Sequence, residues 1–192
     1  FRDGYVKNQK LDSLIITPTT KGDTDIPITY NEIIDNEYLT KTELDFIYKK
    51  SIELFKFGQT IADSKNLILV DTKYEFGKIN NEIILIDELH TCDSSRYWVK
   101  DSYQTQFNTN KEPTKLDKDA IRDWVKSKCD PYKDKIPTIP DSVIKKVEDV
   151  YKNYNTVLTN ETEIHTKTNG NIINDYFEYH HKKIVIIVAG SV

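Results

Sequence analysis

The spacing of hydrophobic residues predicts one long amphipathic helix in the first third of the chain. Thr40 and Glu43 have the spacing of a capping box, in which a hydroxyl and a carboxylate satisfy the free backbone amides of the first helical turn. Apolar residues then recur every three or four positions through about Ala62, so one face of this helix should be buried. Gly58 lies on that face and predicts close packing against a neighbouring element.

Two apolar runs with the alternation of β-strands follow this helix. They cover 67–76 and 82–89, and the connection between them contains Asn80 and Asn81. Asparagine favours the left-handed backbone of tight hairpin turns, so the two runs predict an antiparallel hairpin.

The rest of the chain predicts further helices around this hairpin. The segment 1–29 is punctuated by glycine and proline and predicts irregular chain with a short strand at 15–16. A short helix is predicted at 116–128, and a longer one begins at Pro140. The predicted buried stripe of the longer helix consists of Val143, Val147, Val150, Tyr151, Tyr154 and Leu158. The pattern as a whole predicts an α+β fold, with a hairpin-bearing antiparallel sheet and flanking helices.

The chain predicts one main region at 1–158, then a polar linker or extension at 159–182. The final segment, 183–192, reads KIVIIVAGSV. A continuous apolar run ending in Ala-Gly-Ser is typical of the first strand of a parallel α/β domain, here cut short. The alternative is a final strand of the first domain.

Composition excludes several classes of protein. Apolar residues make up 38% of the 192 residues and charged residues 30%, so a core can form. The net charge of 27 − 31 = −4 argues against a nucleic-acid partner. No signal peptide and no apolar run of about 20 residues is found, so no membrane partner is expected. The chain begins at Phe1 and contains no Met, which predicts a piece of a longer protein.

Cysteine and histidine give little sign of redox or metal chemistry. Two cysteines, Cys92 and Cys129, are too few for a disulfide scaffold, and they fit a reducing, cytoplasmic location. Cys92 has no adjoining basic cluster and is predicted to be inert. The four histidines do not combine with the cysteines in metal-ligand spacing and are predicted to lie on the surface or in the linker: His90, His165, His180 and His181.

The first strand of the hairpin carries the most informative polar residues. Alternate side chains share a face, so Asp71, Lys73 and Glu75 should lie together. Asp87 from the partner strand would complete a cluster of carboxylate oxygens. Mg²⁺ prefers such oxygens together with substrate phosphates. The alternative is a solvated strand face with ordinary lysine–glutamate alternation.

The register of the hairpin decides between these interpretations. A two-residue turn at Asn80 and Asn81 would pair odd with even positions, placing Asp87 on the face opposite Glu75. The metal cluster therefore requires an odd connection, such as 80–82 with a bulge.

A short polar loop follows Asp87. Asp93, Ser95 and Arg96 combine a carboxylate, a hydroxyl donor and a planar cation, which suits binding of a carboxylate or phosphate. Arginine is rare in this lysine-rich chain, which favours a specific use of Arg96. The alternative is an Asx turn without a ligand.

Three segments in this order resemble the C-terminal half of the SAICAR synthetase family: LVDTKYEFG, IDELHTCDSSRYW and LDKDAIRDW. The stretches DGYVKNQKL and ITPTTKGDTDIPIT agree with it, so the resemblance runs over 1–158. It implies an ATP- and Mg²⁺-dependent ligase of purine biosynthesis. Such an enzyme joins carboxyaminoimidazole ribonucleotide (CAIR) to L-aspartate through an acyl phosphate, giving SAICAR, ADP and phosphate.

The resemblance also implies residue roles by position. The implied metal ligands are Asp71, Glu75 and Asp87. The implied ATP contacts are Lys21, Glu75 and Asp87. The implied catalytic lysines are Lys21, Lys73 and Lys118. The implied substrate-binding residues are Asp23, Asp25, Asp93, Ser95 and Arg96. Arg122 and Asp123 are expected to form a structural ion pair within a helix, and Trp124 a core contact.

Two departures shape the functional expectation. The family's N-terminal lobe would lie upstream of Phe1, so these residues alone are expected to bind nucleotide weakly and turn over little. The segment 183–192 resembles the opening strand of the CAIR mutase/carboxylase family, which predicts a fused or associated domain of that kind. The alternatives are a non-catalytic nucleotide-binding or scaffolding module and an acidic protein-interaction domain.

Overall fold

The computed structural model describes residues 4–20, 25–159 and 184–191. The elements in chain order are β1 (Lys10–Thr20), β2 (Ile26–Pro27), α1 (Tyr30–Asp35), α2 (Lys41–Ser64), β3 (Leu67–Ile79), β4 (Glu82–Ile86), β5 (Ser95–Val99), α3 (Lys100–Asn108), α4 (Asp119–Lys126), α5 (Asp141–Thr159) and β6 (Ile184–Ser191). None of the helices in these residues is both long and apolar enough to cross a bilayer.

The strands form a six-stranded antiparallel sheet. Its order is β2-β1-β6-β3-β4, and β5 also pairs with β3. Helix α2 packs against β3 and supplies the buried apolar face predicted from its spacing, including Leu44, Ile47 and Phe55. The α+β prediction is therefore confirmed at the level of architecture.

The C-terminal strand β6 lies inside this sheet, between β1 and β3. It is antiparallel to both, with Ile187 opposite Thr17 of β1 and opposite Lys73 of β3. The prediction that 183–192 begins a separate parallel α/β domain is therefore corrected for the described residues, and the alternative of a strand in the first domain holds. The fused or associated CAIR mutase/carboxylase domain stays a prediction.

Strands β4 and β5 share one edge of β3 and leave a gap between them. Residues near Asp71 pair with both β5 and β6, and residues near Glu75 pair with both β4 and β6. Both β4 and β5 therefore lie on the edge of β3 opposite β6. The loop 87–94 connects them and enters the gap, where the Lys73 amide donates to the Ser94 carbonyl at 3.1 Å. The topology thus brings this loop against the middle of β3.

Local capping explains which helices the sequence predicts well. Both hydrogen bonds of the Thr40–Glu43 capping box are present, and α2 begins at Lys41 as expected. The same motif at Thr29 and Glu32 starts α1, a helix that was not predicted from the sequence. Helix α3 was also missed, because its N-cap position, Val99, has no capping side chain.

Helix α5 covers the loop through a set of tyrosines. Its predicted stripe is half-buried, and the Tyr154 ring lies 5.0 Å from the Tyr97 ring, centre to centre. The hydroxyls of Tyr97 and Tyr154 both donate to the His90 carbonyl, and the Tyr74 hydroxyl is hydrogen-bonded to His90 Nε2. The prediction that His90 is a surface residue is therefore wrong. The other three histidines lie outside the described residues.

Gly58 of α2 makes the close approach predicted for it. A Cβ atom at this position would lie 2.5 Å from His90 Cε1 and 2.8 Å from Leu69 Cδ2. Glycine is therefore required where α2 meets both β3 and the loop.

The buried setting of His90 makes stability depend on pH. Burial lowers the pKa of His90 to about 4, so the folded protein keeps the ring neutral while the unfolded chain protonates it near pH 6.5. The stabilising contribution is complete above pH 6.5 and is lost as pH falls towards 4. We expect a loss of about 1–2 kcal/mol, after allowance for partial solvent screening of the ring.

Urea unfolding at a series of pH values measures this effect. Carboxylates titrate in the same range, so the comparison is with His90→Gln, which lacks the titrating group. We expect the free energy of unfolding of the wild type to fall more steeply between pH 6.5 and 4. Parallel curves for the two proteins would contradict the prediction.

Candidate functional site

A pocket of about 380 Å³ lies where the loop 87–94 meets β3, β5 and the start of α4. It is lined by Asp71, Thr72, Lys73, Asp87, Glu88, Asp93, Ser94, Ser95, Arg96, Lys118 and Arg122. Four acidic and four basic side chains therefore face one small volume. Such a mixed lining suits ligands that carry both phosphate or carboxylate groups and positive charge.

A bulge in β3 pairs Asp71 with Arg96. Leu69 lies opposite Tyr97, but the register then shifts, so that Asp71 rather than Val70 lies opposite Arg96. The Arg96 guanidinium contacts the Asp71 carboxylate through two nitrogens, with Nε at 3.0 Å. This hydrogen bond to Asp71 raises the pKa of Arg96, so the cation is permanent. The bulge is what brings the pair to one face.

Lys73 is surrounded by carboxylates. Its Nζ lies 2.8 Å from Glu75 Oε1, and the hydrogen bond to Glu75, helped by the charges of Asp87 and Asp25, raises the pKa of Lys73. Glu75 is buried, with 4% of its surface exposed, and it does not line the pocket. Asp25 thus lies close enough to Lys73 for its charge to act on the lysine, and its substrate-binding role stays a prediction.

Asp87 lines the pocket although the register of the hairpin differs from the one that the metal cluster requires. The hairpin has the two-residue turn at Asn80 and Asn81, both with positive φ, and Glu75 lies opposite Ile86. The odd connection required for the metal cluster is therefore absent. However, β4 ends at Ile86 and Asp87 has a φ of 75°, which turns the chain out of the strand and places Asp87 on the pocket wall.

The loop that follows is held by its own hydroxyls. The Thr91 hydroxyl accepts the amides of Asp93 at 3.3 Å and Ser94 at 3.2 Å, and it donates to the Glu88 carboxylate. Ser95 is buried, and its hydroxyl lies 2.8 Å from that of Thr72. Of the predicted substrate-binding group, Asp93 and Arg96 are exposed at the pocket, whereas Ser95 lies at its base.

The start of α4 contributes the second lysine. Lys118 Nζ lies 3.1 Å from Asp93, and both residues line the pocket. Asp117 is buried and accepts the backbone amides of Asp119 at 2.8 Å and Tyr97 at 3.2 Å, which fixes α4 against β5. Desolvation by burial raises the pKa of the Asp117 carboxyl.

Arg122 differs from its expected role. The predicted helix ion pair with Asp123 is absent, because Arg122 contacts Asp119 at 3.3 Å while Asp123 contacts Lys115 at 3.4 Å. Arg122 lines the pocket beside Arg96. Trp124 is half-buried rather than a core residue.

The three predicted metal carboxylates do not form a ready cluster. Within residues 4–20, 25–159 and 184–191, no group of three His, Cys, Asp or Glu side chains is placed to hold a metal ion. Asp71 and Asp87 line the pocket, and Glu75 is engaged by Lys73 behind it. Lys21 and Asp23 lie outside the described residues.

Three pocket residues were missed by the sequence analysis: Thr72, Glu88 and Ser94. Strand alternation predicted that Thr72 faces away from Asp71. Glu88 was not predicted, because its neighbour Asp87 was taken as the acidic residue of this segment. Ser94 was not among the residues predicted to bind a ligand in this loop. Cys92 behaves as predicted, since burial raises the pKa of its thiol to about 11 and keeps it protonated.

The fold and the pocket define an α+β protein with one pocket lined by both acidic and basic side chains. The family model for SAICAR synthetase matches residues 1–139. The chain therefore belongs to the SAICAR synthetase family, as the sequence motifs predicted.

Individual relatives agree with this assignment. The chloroplastic phosphoribosylaminoimidazole-succinocarboxamide synthase of Vigna aconitifolia is 49% identical over 145 residues, covering 74% of this chain and 42% of the relative. The enzyme of that name from Legionella pneumophila (strain Paris) is 42% identical over 173 residues, covering 88% and 55%. A solved structure, SAICAR-synthase from Saccharomyces cerevisiae complexed with SAICAR, superposes with a TM-score of 0.59 at 26% identity, covering 73% and 46%. The chain spans about half the length of these relatives.

Proposed function

We propose that this chain supplies the CAIR- and nucleotide-binding part of an ATP-dependent ligase that joins CAIR to L-aspartate and forms SAICAR, ADP and phosphate. One observation carries the proposal: side chains from the three segments that resemble the family meet in a single pocket. Lys73 comes from the first, Arg96 from the second and Lys118 from the third. The free thiols of Cys92 and Cys129 agree with the predicted cytoplasmic location.

The pocket suits the chemistry of carboxylate activation. A carboxylate is a poor acyl donor, so a phosphoryl group from ATP is first transferred to it, and the amine then displaces phosphate. Catalysis of phosphoryl transfer depends on positioning and on neutralising negative charge. Lys73 and Lys118 are held by Glu75 and Asp93, and we propose that they exchange these contacts for phosphate oxygens. Arg96 would orient the imidazole nucleotide or aspartate.

Magnesium fits this site only together with a ligand. Mg²⁺ usually takes one or two protein carboxylates, with waters and substrate phosphates completing its coordination. Asp71 and Asp87 are the proposed carboxylates on the pocket wall, and Glu75 becomes available when Lys73 moves to a phosphate. When bound, the ion would neutralise and orient the polyphosphate.

Calorimetric titration of MgATP tests the proposed site. We expect Asp87→Asn to weaken the affinity of the full-length protein for MgATP by about tenfold or more and to abolish its Mg²⁺ dependence. Asp35→Asn, an exposed substitution in α1, is the matched control and should bind as the wild type does.

A second measurement tests the reaction itself, as SAICAR formed from CAIR, aspartate and MgATP. Nucleotide binding that is indifferent to Mg²⁺ and to Asp87→Asn, without SAICAR formation, would favour a non-catalytic module instead.

A further inference from the structure

The loop 87–94 lies between the candidate pocket and a second, smaller cavity. The residues near its two ends line the pocket: Asp87, Glu88, Asp93 and Ser94. Its middle residues, 89–91, line the cavity of about 260 Å³ together with side chains of α2, β5 and α5. Helix α5 begins at Asp141, beyond the residues 1–139 that the family model matches. Part of the support for the pocket loop therefore comes from a helix outside the matched range.

The backbone carbonyl of His90 is the atom through which this support acts. It accepts the hydroxyl of Tyr97 at 2.8 Å and that of Tyr154 from α5. A carbonyl oxygen has two lone pairs, so both hydrogen bonds can form at once. Burial raises the pKa of both hydroxyls, so each stays protonated and able to donate. Two donors from separate elements thus hold one atom in the middle of the loop.

The backbone conformation of the loop makes such support necessary. His90 has a φ of 55° and Asp87 a φ of 75°, in the left-handed region that residues with a Cβ atom seldom adopt. Such conformations cost free energy and persist only where surrounding contacts enforce them. The hydrogen bonds to the His90 carbonyl therefore offset the cost of the conformation in which the loop lines the pocket.

We propose that Tyr97 and Tyr154 are positioning residues that hold the loop 87–94 where it binds the substrates of the ligase. The inference rests on the proposed function. Both tyrosines lie outside the set of side chains that line the pocket, so each acts through the His90 carbonyl. A loop that spends less time in the binding position lowers the apparent affinity in proportion, and saturation with substrate restores that position. The expected signature is a higher KM with a nearly unchanged kcat.

Tyr154→Phe in the full-length protein removes one donor and keeps the ring. We expect KM for at least one of CAIR and aspartate to rise about three- to fivefold, with kcat within about twofold of the wild type. A merely structural role would reduce the amount of folded enzyme, and so the apparent kcat, without moving KM. Unchanged KM values for both substrates, whatever the kcat, would overturn the proposal.

Tyr30→Phe is the matched control. Tyr30 is also half-buried, its ring packs on that of Tyr48 at 5.5 Å between centres, and its hydroxyl donates one hydrogen bond, to Asp45. The substitution therefore removes an equivalent hydroxyl at a place remote from the loop. It should leave both KM values as in the wild type, and KM shifts equal to those of Tyr154→Phe would contradict a role specific to the loop.

Hydrogen exchange measured by mass spectrometry tests the anchoring without reference to catalysis. The Ser95 amide donates to the Thr91 carbonyl at 2.9 Å and the Ser94 amide to the Thr91 hydroxyl at 3.2 Å, so both report on the loop. We expect them to exchange about three- to tenfold faster in Tyr154→Phe, as for the loss of one hydrogen bond, with the amides of α2 unchanged. Equal rates in the wild type and the variant would overturn the anchoring.

The double variant Tyr97→Phe/Tyr154→Phe removes both donors from the carbonyl. We expect a KM increase of about tenfold or more and faster loop exchange than in either single variant. A double variant indistinguishable from Tyr154→Phe would contradict joint action on one carbonyl. If the wild-type protein forms no SAICAR, the proposed function fails, whereas unchanged loop exchange in an active Tyr154→Phe enzyme refutes this inference alone.

Discussion

Arg96→Ala is expected to lower the rate of SAICAR formation by about 10²–10³-fold, because it removes a permanent, planar cation from the pocket. It also leaves Asp71, whose side chain is 12% exposed, without its partner. The cost of an unpaired carboxylate should reduce the free energy of unfolding by about 1–3 kcal/mol, less than for a fully buried pair because Arg96 is half exposed. Steady-state kinetics and urea unfolding measure the two effects.

Two further variants separate charge from geometry at this position. Arg96→Lys keeps the charge but not the two-nitrogen contact with Asp71, so we expect it to recover part of the stability and little of the activity. Lys100→Ala breaks an exposed ion pair with Asp63 and should cost less than about 0.5 kcal/mol. An Arg96→Ala protein that matched the wild type in both measurements would show that this pair has no role.

Gly58→Ala is expected to destabilise the protein by about 1–3 kcal/mol, although alanine favours helices over glycine by up to about 1 kcal/mol. The added methyl group would collide with the His90 ring and with Leu69, and both neighbours are confined. Because His90 belongs to the loop that lines the pocket, we also expect KM values to change. Lys56→Ala, on the exposed side of α2, is the control.

A compensating substitution tests the cause of this effect. Leu69→Ala alone should destabilise through loss of buried apolar volume. If the clash is the cause, the loss in the double variant Gly58→Ala/Leu69→Ala should be smaller than the sum of the two single losses. Additive losses would indicate that the methyl group at position 58 is accommodated without contact with Leu69.

The sequence predicted α2 and the β3–β4 hairpin because their information is local. A capping box, a helical stripe and an Asn-Asn turn each involve residues within a few positions of one another. The same local rules, applied further, would have found α1, since its Thr29–Glu32 box is as complete as that of α2. Helix α3 has no such cap, so nothing in its sequence marks its start.

The candidate site was predicted less evenly, because it depends on contacts between distant segments. Alternation placed Asp71 and Lys73 together correctly, and composition marked Arg96 as unusual. Neither pattern could reveal the bulge that sets Asp71 opposite Arg96. Neither could reveal the turn at Asp87, which brings this residue to the pocket although the register of the hairpin does not place it opposite Glu75. His90 was also predicted to lie on the surface. Its actual position could not be foreseen, because it depends on contacts with three tyrosines from separate elements.

The chain by itself determined its family, its α+β class and the identity of most charged groups in the pocket, since motifs and periodicity are written in short stretches. Only the tertiary structure decided which charges are paired and that β6 joins the central sheet. These outcomes depend on strand register and on the meeting of residues far apart in sequence. Their energies arise from burial and charge separation, which exist only after the chain has folded.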